Sequence, residues 1–463
     1  MSSTLRSSGQ LTLYPEGSIQ ELWAISFPLI LSIFSVNLMY FLDRLILAQY
    51  DTHAMNSAVV AGLVFSIFQY GTIGIASISE VFVGQYNGAK KLSRIGEPVW
   101  QTIWFSIMTI FLFIPLALFA GPYLIPNPEY QSEGIPFFKT LMFFGPTFPL
   151  VASLSSFFVG RGRVKLVMVT TILSNVLNVT LDFVFIFGVP DVIPALGAKG
   201  AALATGISQA VQTIVLFTFF LNRTHREAYG TGFWQFNPKL FWQSFQLGVP
   251  NSISSIVELS AWSILALILA SISDMHLTVF SIGESFFTLF AFGFWGLQKG
   301  ITTVASNYFG AHHDDKISET LSSGVKIVLI IMLIFAIPML IFPDPLISQF
   351  LNPSESPLQN AELQNYLVIA LRWLWVYFLL DAIAWLISGV LTAAGDTKFV
   401  MVMNSISAWA FSVAPTYVVV SYFDGSPVIT WTLSAVYGLL NSVSFYLRYR
   451  KRRGCSIPLY ALT

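Results

Sequence analysis

The chain has 463 residues, 55 % of them hydrophobic and 10 % charged, and its 23 basic side chains cancel its 23 acidic ones. A soluble domain carries roughly 25 % charge. A mean hydropathy of +0.70 therefore makes the bilayer the main solvent, and excludes an ordinary cytosolic enzyme, a disordered chain and an electrostatic nucleic-acid binder.

Crossing about 30 Å of hydrocarbon takes about 20 apolar residues. Twelve runs qualify: 22–42, 57–83, 97–120, 136–159, 165–187, 198–221, 241–270, 277–305, 322–342, 363–391, 398–421 and 427–447. Backbone groups in lipid must pair within their own segment, so such runs are helices. The polar stretch Ser2 to Ser18 leads straight into the first run, with no cleavable signal evident. The longest connection, 222–240, holds no soluble catalytic domain.

Loop charge sets the expected orientation. With the N-terminus inside, 18 Lys and Arg fall on the cytoplasmic side, among them Lys90, Lys91, Arg161, Arg163, Lys165 and the tail residues Arg448, Arg450, Lys451, Arg452 and Arg453; Arg44 and Lys199 lie outside. Both termini are then cytoplasmic, and the tail reads as an anchor after the last span rather than a nucleic-acid or lipid patch. Cys455 is the one cysteine, which excludes an internal disulfide framework and a thiolate metal cluster.

The chain also repeats itself. At a shift of 222 residues, Pro28 and Ser32 meet Pro250 and Ser254, and Phe65, Phe68, Gly71, Gly74, Tyr86, Gly88 and Ala89 meet Phe287, Phe290, Gly293, Gly296, Tyr308, Gly310 and Ala311. At a shift of 233, Ser155, Gly162, Lys165 and Val167–Val169 meet Ser388, Gly395, Lys398 and Val400–Val402. The extra length belongs in the Pro-rich outer loop 343–362. Six spans separate the copies, so both halves share one orientation, as in transporters whose substrate path runs between parallel repeats. The expected organisation is a six-helix lobe at 1–221, a cytoplasmic linker at 222–240, a second six-helix lobe at 241–447 and a basic tail at 448–463.

Six acids fall within or at the ends of spans: Asp43, Glu80, Asp182, Glu258, Glu284 and Asp381. Only Arg372, Lys299 and the boundary Arg44 can answer them, and an excess of intramembrane carboxylates suggests a site that meets cations. Asp43 closes the first run at its outer end, and Asp182 lies in the outer half of the fifth with Asn178 one turn below on the same face. These three can converge on one pocket whose hard oxygen ligands suit Na+, and whose carboxylates suit a proton equally. Glu258, Glu284 and Asp381 lie near mid-depth in the second half. The plainer readings are a loop acid at Asp43 paired with Arg44, a solvated Glu80 near the inner surface, and Glu284 paired with Lys299 or another helix. Pro28 and Pro250 interrupt the hydrogen-bond ladder at equivalent places, as do Pro146 and Pro149 in the fourth run. Trp, Phe and Met side chains offer stacking and cation–π surfaces to flat hydrophobic cations. No GxxxxGK[ST] or HExxH motif is present, so neither ATP hydrolysis nor a metalloprotease is expected.

With these residues in hand, the chain resembles the multidrug and toxic compound extrusion (MATE) transporters over essentially all twelve spans. The marks are FPLILSIFSVNLMYFLD at 27–43, GQYNGAKK at 84–91, LNVTLDFVFIFG at 177–188, LGAKGAALATGISQ at 196–209, LGVPNSISSIVELS at 247–260 and LLDAIAWLISGVLTAAGDTK at 379–398. The resemblance implies an all-α membrane protein of two six-helix bundles in a V. It would export organic, mostly cationic amphipathic compounds by alternating access, in exchange for inward Na+ or H+. It assigns a first-lobe cation site to Asp43, Asn178, Asp182 and Thr205, which can hold Na+, and second-lobe coupling acids to Glu258 and Asp381. Asp43, Asp182 and Glu284 are the expected substrate contacts, and Pro28 and Pro250 the expected points of conformational change. Where many members have a His-Gln pair, FSIGESFF at 280–287 supplies Gly283 and Glu284 instead. No enzymatic activity, cofactor or nucleic-acid partner is expected. The expected setting is a monomer in the lipid of a bacterial inner membrane. The rival reading is a lipid-linked oligosaccharide flippase of the same superfamily, whose cavity would be basic rather than acidic.

Overall fold

A computed structural model describes residues 11–351 and 357–452. Among them run twelve long helices: α1 (Ile19–Tyr50), α2 (Thr52–Gly88), α3 (Leu92–Leu124), α4 (Pro128–Gly160), α5 (Val164–Ile186), α6 (Gly197–Phe220), α7 (Pro238–Ile272), α8 (Asp274–Ala311), α9 (Asp314–Ile341), α10 (Pro357–Ala393), α11 (Thr397–Tyr422) and α12 (Ile429–Arg452). The first eleven are long and apolar enough to cross a membrane. α12 is long enough, but it carries Ser434, Asn441 and Ser442 and ends on Arg450, Lys451 and Arg452. Side chains such as Phe111 (83 % exposed) and Leu333 (68 % exposed) point outward where a soluble protein would carry charge. The chain is an integral membrane protein of twelve helices in two six-helix bundles. Most helices overrun the apolar runs that announce them, and the side chains of Ser18, Asp51, Asn127, Asn237 and Ser273 cap α1, α2, α4, α7 and α8 at their starts.

The duplication is built into the backbone. Asp51 alone joins α1 to α2, and Ser273 alone joins α7 to α8; each is extended, and its side chain caps the following helix. Lys90 after α2 and His312 after α8 both take φ of 59°. α3 and α9 each widen into a π-helical stretch at nearly the same place, Leu116–Ala120 just after Pro115 and Ile337–Ile341 around Pro338. The extra length of the second half does fall between α9 and α10: Asp344–Ile347 matches the four-residue helix Gly121–Leu124 that ends α3, but the turn Ser348–Phe350 that follows it has no counterpart before α4. Residues 352–356 of that loop, and the tail beyond Arg452, lie outside the described residues.

Pro28 and Pro250 sit inside α1 and α7 without ending either helix, and the Ser32 hydroxyl bonds back to the Pro28 carbonyl at 2.9 Å. Pro146 is different. α4 breaks there, its first segment ending at Phe144 and its second starting at Thr147.

The two bundles meet along one end of α1, α2, α7 and α8. A methyl on Gly88 would collide with the Asn307 carbonyl, and one on Gly310 with the Gln85 carbonyl, so the two equivalent glycines let α2 and α8 cross backbone to backbone. Gly296 and Gly300 seat α8 against Ile30 and Ser26 of α1 in the same way. Further along, Phe34 and Phe292 touch at 5.1 Å between ring centres.

Candidate functional site

In the first bundle α1, α5 and α6 bring four polar side chains together. Asp182 and Asn178 are fully buried, one turn apart on α5. The Asp43 carboxyl lies against that of Asp182. With the Asn178 amide oriented by its hydrogen bonds, Nδ2 donates to Asp43 Oδ1 at 2.8 Å and Oδ1 accepts the Thr205 N–H at 3.1 Å. The Thr205 hydroxyl lies 3.3 Å from the same oxygen and donates to the Ala201 carbonyl at 3.1 Å. α1 continues to Tyr50, so Asp43 sits two turns inside its end rather than in a loop, and its partner is Asn178 rather than Arg44. The sequence reading missed the polar track beneath. Asn175 Nδ2 donates to Ser35 Oγ at 2.7 Å, Ser174 Oγ to the Ser208 carbonyl at 2.9 Å, and Gln212 Nε2 to Thr171 Oγ1 at 3.0 Å. The spacing of Asn175, Asn178 and Asp182, three and four apart, marks one polar face of α5 and was the available signal.

In the second bundle Asp381 is buried on α10 beside the hydroxyl of Tyr377, one turn earlier. Glu258 of α7 and Tyr437 of α12 complete the group. Aromatic rings wall it: Trp262 and Phe287 lie 6.2 and 5.7 Å from the Tyr377 ring, and Tyr437 6.1 Å. Below it Asn441 Nδ2 donates to Asn404 Oδ1 at 3.0 Å, and Asn404 Nδ2 to Ser254 Oγ at 3.1 Å. Neither carboxyl pair forms a salt bridge among the described residues, and Arg44 acts on Asp43 only through longer-range attraction. Two adjoining carboxylates in a low dielectric repel, and one bound positive charge, a proton or Na+, relieves the pair. Nowhere among the described residues do three or more His, Cys, Asp or Glu gather as a metal cluster. A cation in the first bundle would therefore rely on two carboxylates plus amide and hydroxyl oxygens.

The remaining acids behave differently from the sequence expectation. Glu80 is not solvated: it is buried, accepts from Thr303 Oγ1 at 2.6 Å and pairs with Lys299 Nζ at 3.7 Å, which joins the bundles. That pairing removes Lys299 as the partner of Glu284, which is exposed and forms no ion pair among the described residues. At the same closed end Asn87 Nδ2 donates to Asn307 Oδ1 at 2.7 Å, and the Tyr308 hydroxyl donates to Glu21.

The MatE family model matches residues 28–184 and again 250–418, two stretches whose starts are 222 residues apart. The chain belongs to the MatE family. Among its relatives is a probable multidrug resistance protein NorM of Thermotoga maritima, 25 % identical over 84 % of this chain and 83 % of that one. Another is the probable multidrug resistance protein YoeA of Bacillus subtilis, 26 % identical over 76 % of each. Solved MATE structures share the fold. A multidrug resistance MATE family transporter described as outward-facing aligns with a TM-score of 0.84 at 18 % identity, covering 97 % of this chain and 98 % of that one. The eukaryotic MATE transporter AtDTX14 aligns at 0.78 and 18 % identity, over 95 % and 98 %. A MOP superfamily transporter of Pyrococcus furiosus, described as having a binding pocket of reversed polarity, aligns at 0.81 and 17 % identity, over 97 % and 98 %. The Asp43–Asn178–Asp182 and Glu258–Asp381 groups thus sit in a MatE fold, one in each bundle.

Proposed function

We propose that this chain is a multidrug efflux transporter, a secondary antiporter that exports organic, mostly cationic amphipathic compounds in exchange for inward Na+ or H+. The observation that carries the reading is the carboxyl pair Asp43–Asp182, which forms no salt bridge among the described residues, with Asn178 bonded to both Asp43 and Thr205. The relatives NorM and YoeA, named as probable multidrug resistance proteins, support it. α1 offers the coupling route. It carries Asp43 toward one end, Pro28 within its span, and Ser26 and Ile30 packed on Gly300 and Gly296 of the other bundle. Binding a cation at Asp43 re-packs α1, loosens its seat on α8 and lets the bundles rock, so that drug and cation bind opposite states preferentially. Both termini lie in the cytoplasm of a bacterial inner membrane in this reading, and the closed end faces inward.

Dye efflux from proteoliposomes under separately imposed Na+ and H+ gradients tests the proposal. Efflux driven by at least one gradient supports it, and efflux indifferent to both sinks it. The flippase reading predicts instead that fluorescent lipid-linked oligosaccharide is moved and cationic dye is not. The acidic character of the intramembrane groups favours the exporter.

A further inference from the structure

The two bundles share a corner at the closed end that is chemically complete in one and incomplete in the other. In the second, Gly395 (φ 78°) leads to Asp396, which stands at the N-terminus of α11 with φ −88° and ψ 39°. Its carboxylate is clamped by Arg448, at 2.7 and 3.2 Å, and by Arg452 at 3.1 Å. In the first bundle Gly162 (φ 69°) leads to Arg163 at the N-terminus of α5, with φ −89° and ψ 41°. The supporting backbone bonds repeat as well: Arg163 N–H to Phe158 O at 2.8 Å, and Asp396 N–H to Leu391 O at 2.9 Å. The backbone is the same, but the carboxylate is replaced by a guanidinium.

The first-bundle corner gathers positive charge with no carboxylate paired to it among the described residues. Arg161 is 8 % exposed, stacked 3.6 Å from the Tyr229 ring centre and 4.4 Å from that of Phe157, and its Nη1 has no hydrogen-bond partner. Neither Arg161 nor Arg163 takes part in a salt bridge among the described residues. No side chain caps the N-terminus of α5. His225 lies close to both arginines, and burial together with their charge holds it below its ordinary value. Burial likewise pushes the Arg161 guanidinium down to about 10. A buried cation without a counter-ion is costly, and an uncapped helix N-terminus beside it is an anion site in waiting.

We propose that the Arg161–Arg163–His225 corner binds a phosphate group, which takes the place that the Asp396 carboxylate fills in the other bundle. An anionic lipid headgroup is the favoured source. The strap that follows Tyr229 exposes Phe233 and Trp234, 69 and 63 %, and α3 holds its backbone through Trp100 Nε1 to Thr231 O at 2.8 Å and Trp104 Nε1 to Trp234 O at 3.1 Å. Aromatic side chains at the edge of an apolar bundle settle at headgroup level. A phosphate bound here fastens the helix Arg223–Tyr229, and with it the connection between the bundles, to the α4–α5 corner.

Thermal unfolding of the full chain in uncharged detergent, titrated separately with short-chain phosphatidylglycerol, phosphatidylcholine and inorganic phosphate, tests this. Phosphatidylglycerol is expected to raise the midpoint and phosphatidylcholine to leave it unchanged. A response to inorganic phosphate alone keeps the site and assigns it to free phosphate. Arg163→Asp, which supplies the missing carboxylate, is expected to unfold no earlier than wild type and to lose the response. If that variant does not fold, Arg161→Lys carries the test, with about tenfold weaker binding expected from loss of the guanidinium fork. No response to either phosphate compound, or equal responses in wild type and variants, overturns the proposal.

Discussion

The two carboxyl pairs of this protein occupy equivalent bundles but differ in their surroundings. Asp43 and Asp182 are dressed with an amide, a hydroxyl and a polar track that descends through Asn175 and Ser35. Glu258 and Asp381 are dressed with phenols and walled by Trp262 and Phe287. Neutral oxygen ligands can replace the water shell of Na+, whereas a phenol beside a carboxyl in an aromatic box suits a proton that needs no such shell. A duplicated fold thus kept its backbone geometry while the side chains around the two carboxyl pairs diverged, and under the proposed function that divergence would set which cation each copy holds. The largest test of that contrast is Asp43→Asn against Asp381→Asn. We expect Asp43→Asn to reduce efflux about a hundredfold under either gradient, and Asp381→Asn to do so under a proton gradient alone, since each removes a buried charge from a coupled group. Initial rates of dye efflux would decide, and equal losses under both gradients for the two variants would break the distinction.

The next contrast lies between the sites and the closed end. Gly88→Ala forces a methyl into the Asn307 carbonyl, and overpacking of this kind costs about 1–3 kcal/mol. The closed state should lose that amount. A cysteine introduced at Asn87, otherwise bonded to Asn307, should then react faster with a water-soluble thiol reagent in the Gly88→Ala background. Unchanged reactivity would show that the glycine contact does not hold the bundles together.

A smaller effect separates the two polar tracks. Asn178→Ala removes a bond to Asp43 and one to Thr205, and should weaken apparent Na+ affinity about tenfold. Asn404→Ala removes bonds to Ser254 and Asn441 in the other bundle, and should leave Na+ affinity unchanged while costing about 1 kcal/mol of thermal stability. Sodium titration of efflux, alongside melting curves, compares them. The smallest expected change is at Glu284, whose carboxyl has no ion-pair partner among the described residues. Glu284→Gln should raise KM for a cationic dye about twofold to fivefold and leave a neutral substrate unaffected, in keeping with one partly solvated charge contact. An equal change for both substrates would remove Glu284 from the substrate path.

The amino-acid sequence by itself determined the solvent, the twelve helices and the duplication. Apolar run length and the spacing of Gly, Pro and Ser are local properties, and the bilayer leaves no alternative to internally bonded helices. It also announced Asp43, Asn178 and Asp182, because one turn of α5 puts two of them on one face. Only the tertiary structure decided the partners. Glu80 meets Lys299 and Thr303 from 219 and 223 residues away, Glu258 comes to lie near Asp381, and Arg161 lies buried against Tyr229 although the sequence placed it only in a cytoplasmic loop. Helical periodicity fixes which side of a helix is polar, but not which helix packs there. That choice rests on glycine contacts between backbones distant in the chain, which no local pattern records.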